Sequence, residues 1–148
     1  MTRLFLTAGL LTATLMAAPA VATDAAPASR WLWSNSSALL NRATTELAQG
    51  RTERGARMAS EVLAAGSPLD RRIAAHNLCL VHAAGGADVK RDPLCREASR
   101  GPDAPVVLQD GALIVGRKDG ASAGTLDNII AENMVKAAER AMLASTTP

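Results

Sequence analysis

Apolar positions between residues 38 and 98 recur at the spacing of amphipathic helices. Hydroxyl or carboxylate side chains stand where helices would begin, twice just before a proline, and glycines stand where they would end. These signals predict four helices. They begin after Ser36 or Ser37, at about Thr52, after Ser67 and after Asp92, and they end at Gly50, Gly66, Gly85-Gly86 and Gly101-Pro102.

The period of the pattern changes after residue 105. Residues 106–109 and 112–115 are two short apolar runs around Asp110-Gly111, and this dipeptide favours the positive φ angles of a tight hairpin turn. Thr125 is expected to cap a last amphipathic helix. The pattern therefore predicts a mostly α protein, with two antiparallel helix pairs, a short β-hairpin and a C-terminal amphipathic helix.

The first segment is typical of a secretory signal peptide. Arg3 precedes an uncharged run over residues 4–18, and Ala20-Val21-Ala22 follows as a cleavage signature. We expect residues 1–22 to be removed and residues 23–35 to form a flexible spacer. The alternative is an uncleaved anchor, because the uncharged stretch is nearly long enough to cross a membrane. With cleavage, we expect a periplasmic or secreted protein without stable membrane insertion.

Composition excludes several function classes. The chain has 148 residues and a formal net charge of +2, from 16 basic and 14 acidic side chains, which is too balanced for a dedicated nucleic-acid binder. Its length suits one domain. It contains no Gly-x-Ser-x-Gly or His-Glu-x-x-His motif, no phosphate loop and no dinucleotide fingerprint. We therefore predict no catalytic residue, no cofactor and no enzymatic activity.

The helical part contains a weak internal repeat with an offset of 36 residues, which aligns Gly50 with Gly86 and Asn41 with Asn77. Two stretches resemble the first helix and closing turn of tetratricopeptide repeats, and a third resembles the second helix in exported bacterial members. They are Asn41-Arg42-Ala43 through Gly50, Ala75-His76-Asn77-Leu78-Cys79 through Gly86, and Cys95-Arg96-Glu97-Ala98.

The resemblance covers roughly residues 37–105. It implies a repeat region at 36–104, followed by the hairpin and terminal helix at 105–148. It also implies a concave face that binds an unknown protein or peptide of the bacterial cell envelope. The function predicted in this way is an exported, non-enzymatic interaction module.

Cys79 and Cys95 fall on the two helices of the second pair, so an antiparallel arrangement lets them face one another. Export would place them in an oxidising compartment, which favours a disulfide. Free buried thiols are one alternative. The other is a periplasmic metal site that uses His76, Cys79, His82 and Cys95 as a four-ligand set.

Two clusters are candidates for partner binding. Arg51, Arg54 and Arg57 step along one helix face and would suit an acidic partner, although they also fit a solvated helix exterior. Trp31 and Trp33 precede the first helix. They would either anchor a partner or fold back onto the core.

Overall fold

Five helices and four strands make up residues 31–146, the part of the chain that the computed structural model describes. The helices are α1 (Ala38–Ala48), α2 (Thr52–Ala65), α3 (Pro68–Ala84), α4 (Pro93–Ala98) and α5 (Leu126–Thr146). The strands are β1 (Leu32–Ser34), β2 (Pro105–Gln109), β3 (Ala112–Val115) and β4 (Ala121–Thr125). The predicted signal peptide and the start of the predicted spacer lie outside the described residues.

The predicted fold class is wrong, because the strands form one mixed sheet in the order β1-β3-β2-β4 instead of an isolated hairpin after two tetratricopeptide-like helix pairs. β2 and β3 pair antiparallel across Asp110-Gly111, whose φ angles of 50° and 79° are both positive. β4 pairs antiparallel with β2, and β1 runs parallel to β3. α4 has only 6 residues, too few for the second helix of such a repeat. The helices therefore pack against a sheet and do not form a stack of helical repeats.

Side-chain amides take the place of a neighbouring strand along the outer edge of β1. The Asn77 amide accepts from the N–H of Leu32 (3.1 Å) and donates to its carbonyl (2.9 Å). Asn41 makes the same two bonds to Ser34, at 2.7 Å and 2.8 Å. Because alternate residues of a strand direct their backbone groups to the same edge, the two amides satisfy both positions. The 36-residue offset between the asparagines thus corresponds to a shared structural role.

The core lies between the inner face of the sheet and helices α1, α3 and the first half of α5. Close packing of α2 against α1 requires glycine at position 55, where an added Cβ would lie 2.9 Å from the backbone nitrogen of Leu47. The largest fully buried apolar side chains come from both layers: Leu32, Leu40, Ile73, Val106, Val115, Leu126 and Ile130.

A buried arginine fixes the start of α5. Arg72 of α3 donates to the carbonyls of Ala98 and Pro102, each at 2.8 Å, and to Oδ1 of Asp127 at 2.5 Å. These bonds join α3 to the end of α4, to the connection that follows it and to the first turn of α5. Arg72 therefore sets the position from which α5 extends along the molecule.

Candidate interaction surface

The disulfide between Cys79 and Cys95 is present and joins α3 to α4, with 4.9 Å between the Cα atoms. α4 begins at Asp92, whose carboxylate accepts from the N–H groups of Leu94 (2.8 Å) and Cys95 (3.2 Å). Burial opposes ionisation of Asp92, but hydrogen bonds from His82 and from these N–H groups outweigh it and lower the pKa of the carboxyl. The bond and the cap together hold the short helix against α3, and a disulfide is compatible with an oxidising compartment.

The alternative metal set is not brought together. Cys79 and Cys95 are bonded to one another and so cannot act as thiolate ligands. His82 is exposed, with Nδ1 2.8 Å from Oδ2 of Asp92, whereas His76 is fully buried. Within residues 31–146, no group of three or more His, Cys, Asp and Glu side chains is arranged to hold a metal ion.

His76 belongs to a closed polar cluster inside the protein. Its Nδ1–H donates to Oδ1 of Asn77 (3.1 Å), because that oxygen already accepts from the backbone of Leu32 and can only be an acceptor. The amide of Asn133 in α5 donates to Nε2 (3.2 Å). Burial lowers the pKa of His76 to about 4, and the nearby Arg72 adds to this effect. The imidazole is therefore neutral at physiological pH, and both of its nitrogens are occupied.

The three predicted arginines lie at the start of α2. Arg51 is hydrogen-bonded to the Glu46 carboxylate, and Nε of Arg54 lies 3.9 Å from it. The hydrogen bond from Arg51 is the main reason that the pKa of Glu46 is lowered. Arg57 is exposed. Arg51 and Arg54 thus have the Glu46 carboxylate of the same chain as a counter-ion. A role of the three arginines in partner binding stays a prediction.

The two tryptophans belong to the β1 region. Trp33 pairs with Ile114 of β3, on the face of the sheet opposite Leu32 and the core, and is partly buried there. Trp31 is also partly buried. Trp33 packs on the outer face of the sheet instead of under α1, and a role for either tryptophan in partner binding stays a prediction.

An apolar trough separates α5 from α4 and from the connection that leads into α4. It consists of two adjoining cavities of about 460 Å³ and 410 Å³, which share Val89, Lys90, Ala138 and Met142. We call this surface the α4–α5 trough. Its apolar walls are Val89 and Cys95 on the α4 side, and Met134, Val135, Ala138 and Met142 on the α5 side.

α5 carries a second stripe of small and apolar residues, which is directed away from the core and borders the trough. Its members follow one another at steps of four, three, four and three residues, which is the a/d spacing of a coiled-coil helix. Val135 and Met142 are 58% and 63% exposed, whereas Ile130 on the opposite face is 2% exposed. We call these residues the outer stripe: Ala131, Val135, Ala138, Met142 and Ser145.

Charged side chains border the outer stripe on both sides. Lys90 and Arg96 line the trough on the α4 side, and Glu139 lies on α5. Among residues 31–146, none of these three has an oppositely charged group within 4.0 Å. Glu132, one heptad before Glu139, is paired with Lys136 at 2.5 Å. The surface therefore combines an apolar floor with a predominantly basic α4 side, where the carboxylate of Asp88 is paired with Arg91 (3.5 Å), and with Glu139 on the α5 side.

The sequence pattern described above does not identify this surface, although it contains the signal for it. The pattern of the last helix predicts one inward side, with Leu126, Ile129, Ile130, Asn133, Ala137 and Ala141 on it. The structure buries Leu126, Ile130 and Asn133 and leaves the other three partly exposed. The 4-3-4-3 spacing that runs from Ala131 along the other side was visible in the sequence. This spacing indicates an open surface only because α4 leaves that side of α5 uncovered, which the sequence does not reveal.

Comparisons with models of protein families, with curated proteins and with solved structures find no match for this chain. Among the described residues, no helix is both long and apolar enough to cross a membrane.

Proposed function

We propose that this protein is an exported, non-enzymatic interaction protein that binds an amphipathic helix along the α4–α5 trough. The observation that carries the proposal is the outer stripe. Val135 and Met142 stay exposed at helix–helix spacing, beside a trough that runs along the same helix. From Ala131 to Ser145 the stripe extends for about 21 Å, at about 1.5 Å per residue. This length suits the helix-in-groove mode of recognition, with anchors at every third or fourth residue.

The chemistry of the trough supports binding over catalysis. Its polar side chains are Lys90, Arg96, Ser99 and Glu139 in one cavity, and Asp88, Lys90 and Ser145 in the other. The Ser99 hydroxyl donates to the carbonyl of Cys95 (2.9 Å) and so is already engaged by the backbone. His76, the buried histidine with a strongly lowered pKa, lies in the closed cluster and not along the trough. A nucleophile beside a general base, which enzymatic chemistry of this type requires, is thus not offered by the trough lining.

Two features support export. Residues 1–22 have the order of a secretory signal, and the disulfide would persist in an oxidising compartment. Expression of the full chain in bacteria, followed by fractionation and mass measurement, tests this part. We expect the mature form to begin at Thr23, outside the cytoplasm, and to contain no thiol that reacts with an alkylating agent. Retention in the cytoplasm with two reactive thiols would contradict it.

Site-specific photo-crosslinking in cells tests the binding surface. A photoreactive amino acid at Met142 is expected to give an adduct whose partner, identified by mass spectrometry, is attached through a helical segment. Val135→Glu should abolish the adduct, because it puts a carboxylate on the apolar floor. The same photoreactive residue at Leu108, which is 47% exposed on β2, is the matched control. Equal adducts from both positions, or an adduct that survives Val135→Glu, would refute the proposed surface.

A further inference from the structure

We propose that the helix that binds in the α4–α5 trough is α5 of a second copy of this chain, in parallel orientation. The inference rests on the proposed function, since it names the partner for the same surface. A second copy brings an identical outer stripe, so Val135 and Met142, both at a positions, would meet their counterparts on the other helix at the same level. The small side chains at the alternating positions Ala131, Ala138 and Ser145 let the helices approach closely.

Charge complementarity selects this occupant and its direction. With Val135 and Met142 at a, Glu139 is at an e position, and the basic side of the trough lies beyond the g positions. In a parallel pair, e positions of one helix face g positions of the other. Glu139 of each copy would therefore approach Lys90 and Arg96 of the other copy, so that an unpaired carboxylate meets two unpaired cations twice across the interface.

The antiparallel arrangement of the same two helices is unfavourable. In that orientation e positions face e positions and g positions face g positions. Glu139 would then lie near Glu139, and the cations Lys90 and Arg96 would face their own copies. Like charges in contact across an interface are repulsive and suppress the wrong arrangement. The distribution of charge around the outer stripe thus distinguishes between the two directions.

The contact is limited to little more than two heptads of α5 together with the α4 wall. An interface of this size falls among weak or transient ones, so we expect a monomer–dimer equilibrium that depends on concentration and salt. Met142→Glu should raise the dissociation constant at least about tenfold, because it buries a charge at an a position. Leu108→Glu, on β2, is the matched surface control and should leave the dissociation constant unchanged.

Charge reversal provides the decisive test, by sedimentation equilibrium of the purified, oxidised chain. Glu139→Lys alone, and Lys90→Glu with Arg96→Glu, should each raise the dissociation constant about tenfold through like-charge contacts. The triple variant, with all three charges reversed, should return it to within about threefold of the original value. All of these side chains are on the surface, so the fold should tolerate the changes, and circular dichroism checks this.

The direction of the helices is tested with single added cysteines. In a parallel dimer, Ser145→Cys should form a disulfide-linked dimer under a glutathione redox buffer, because the two positions lie level with one another. In an antiparallel dimer, Ser145→Cys would form the link only when mixed with Ala131→Cys. A chain that stays monomeric at every concentration, a dimer unaffected by Met142→Glu, or linkage only in the mixture would each overturn this inference. A monomeric chain that still gives the Met142 adduct to another protein would leave the proposed function intact.

Discussion

The beginning of α5, residues 126–133, and the remainder, residues 134–146, belong to one continuous helix but have opposite surroundings, and we call them its first and second halves. In the first half, Leu126 and Ile130 are buried against α3 and the sheet, and Asn133 completes the polar cluster of His76. In the second half, Val135 and Met142 are more than half exposed beside the trough. The comparison shows that a helix with apolar residues on two sides needs a covering element on each, and this fold supplies one of them.

The two halves also differ in how their polar groups are treated. Asp127, at the start of α5, forms a hydrogen-bonded ion pair with Arg72 of α3 at 2.5 Å. Glu139, in the later half, has no cation within 4.0 Å among the described residues, although Lys90 and Arg96 line the same cavity. Because Glu139 is exposed to solvent, its lack of a counter-ion costs little in the single chain, and the carboxylate stays available to a cation of a bound partner. The first half is therefore tied to the core by its polar groups, whereas the second half leaves a charge exposed, as the proposed interface requires.

The largest expected effect is on the first half. Ile130→Ala removes a buried side chain from the junction of α5 with the core and leaves a cavity there. We expect a loss of roughly 2–5 kcal/mol in the free energy of unfolding, measured by urea denaturation. A loss below about 0.5 kcal/mol would mean that α5 does not pack on α3 and the sheet as described.

The disulfide between Cys79 and Cys95 holds α4, which forms the wall of the trough opposite α5. Cys79→Ala combined with Cys95→Ala removes a bond that closes a loop of 16 residues in sequence separation. We expect the free energy of unfolding to fall by about 3 kcal/mol, because the unfolded chain gains the freedom of that loop. Adding a reductant to the unaltered protein is the parallel measurement, and it should have no effect on the double variant.

A similar loss is expected on acidification, because His76 must be neutral in the closed cluster. Its pKa is lowered to about 4 in the folded state, against about 6.5 when unfolded, so below pH 6.5 the unfolded chain binds a proton that the folded chain does not. Stability should therefore fall from pH 6.5 to pH 4, by about 3 kcal/mol in all.

The difference in unfolding free energy between the original chain and His76→Gln isolates this contribution from the titrating carboxylates. The variant should lack the slope between pH 6.5 and pH 4. His82→Gln should retain it, since the His82 side chain is 46% exposed on the surface. If both variants keep the same slope as the original chain, His76 is not buried in the neutral form.

Much of the local structure could be predicted from the sequence. The Ser37, Ser67 and Asp92 caps, the Asp110-Gly111 turn and the disulfide all depend on residues near in sequence or on one helix pair, and each is present. These features have strong local signals because they satisfy backbone groups or φ preferences on their own.

The sheet could not be predicted, because its outer strands depend on distant partners. β1 has 3 residues and no strand pattern of its own, and it is stabilised by Asn77, 45 positions away. β4 is rich in small residues, and its sequence carries no strand pattern. The internal offset that suggested a solenoid reflects two asparagines that bind the same strand. Side-chain amides in helices carry no local sign of which backbone they will bind.

The smallest expected effect on stability is in the second half of α5, in contrast to the large effect expected for Ile130→Ala in the first half. Val135→Ala and Met142→Ala shorten side chains that are already 58% and 63% exposed, so each should change the free energy of unfolding by less than about 0.5 kcal/mol. Each should nevertheless weaken self-association, measured by sedimentation equilibrium, by about threefold or more. A substitution that weakens association without changing the stability of the fold is the result expected at an interface residue. If either variant instead unfolds as readily as Ile130→Ala, the outer stripe is covered within the single chain, and the distinction between the two halves of α5 no longer holds.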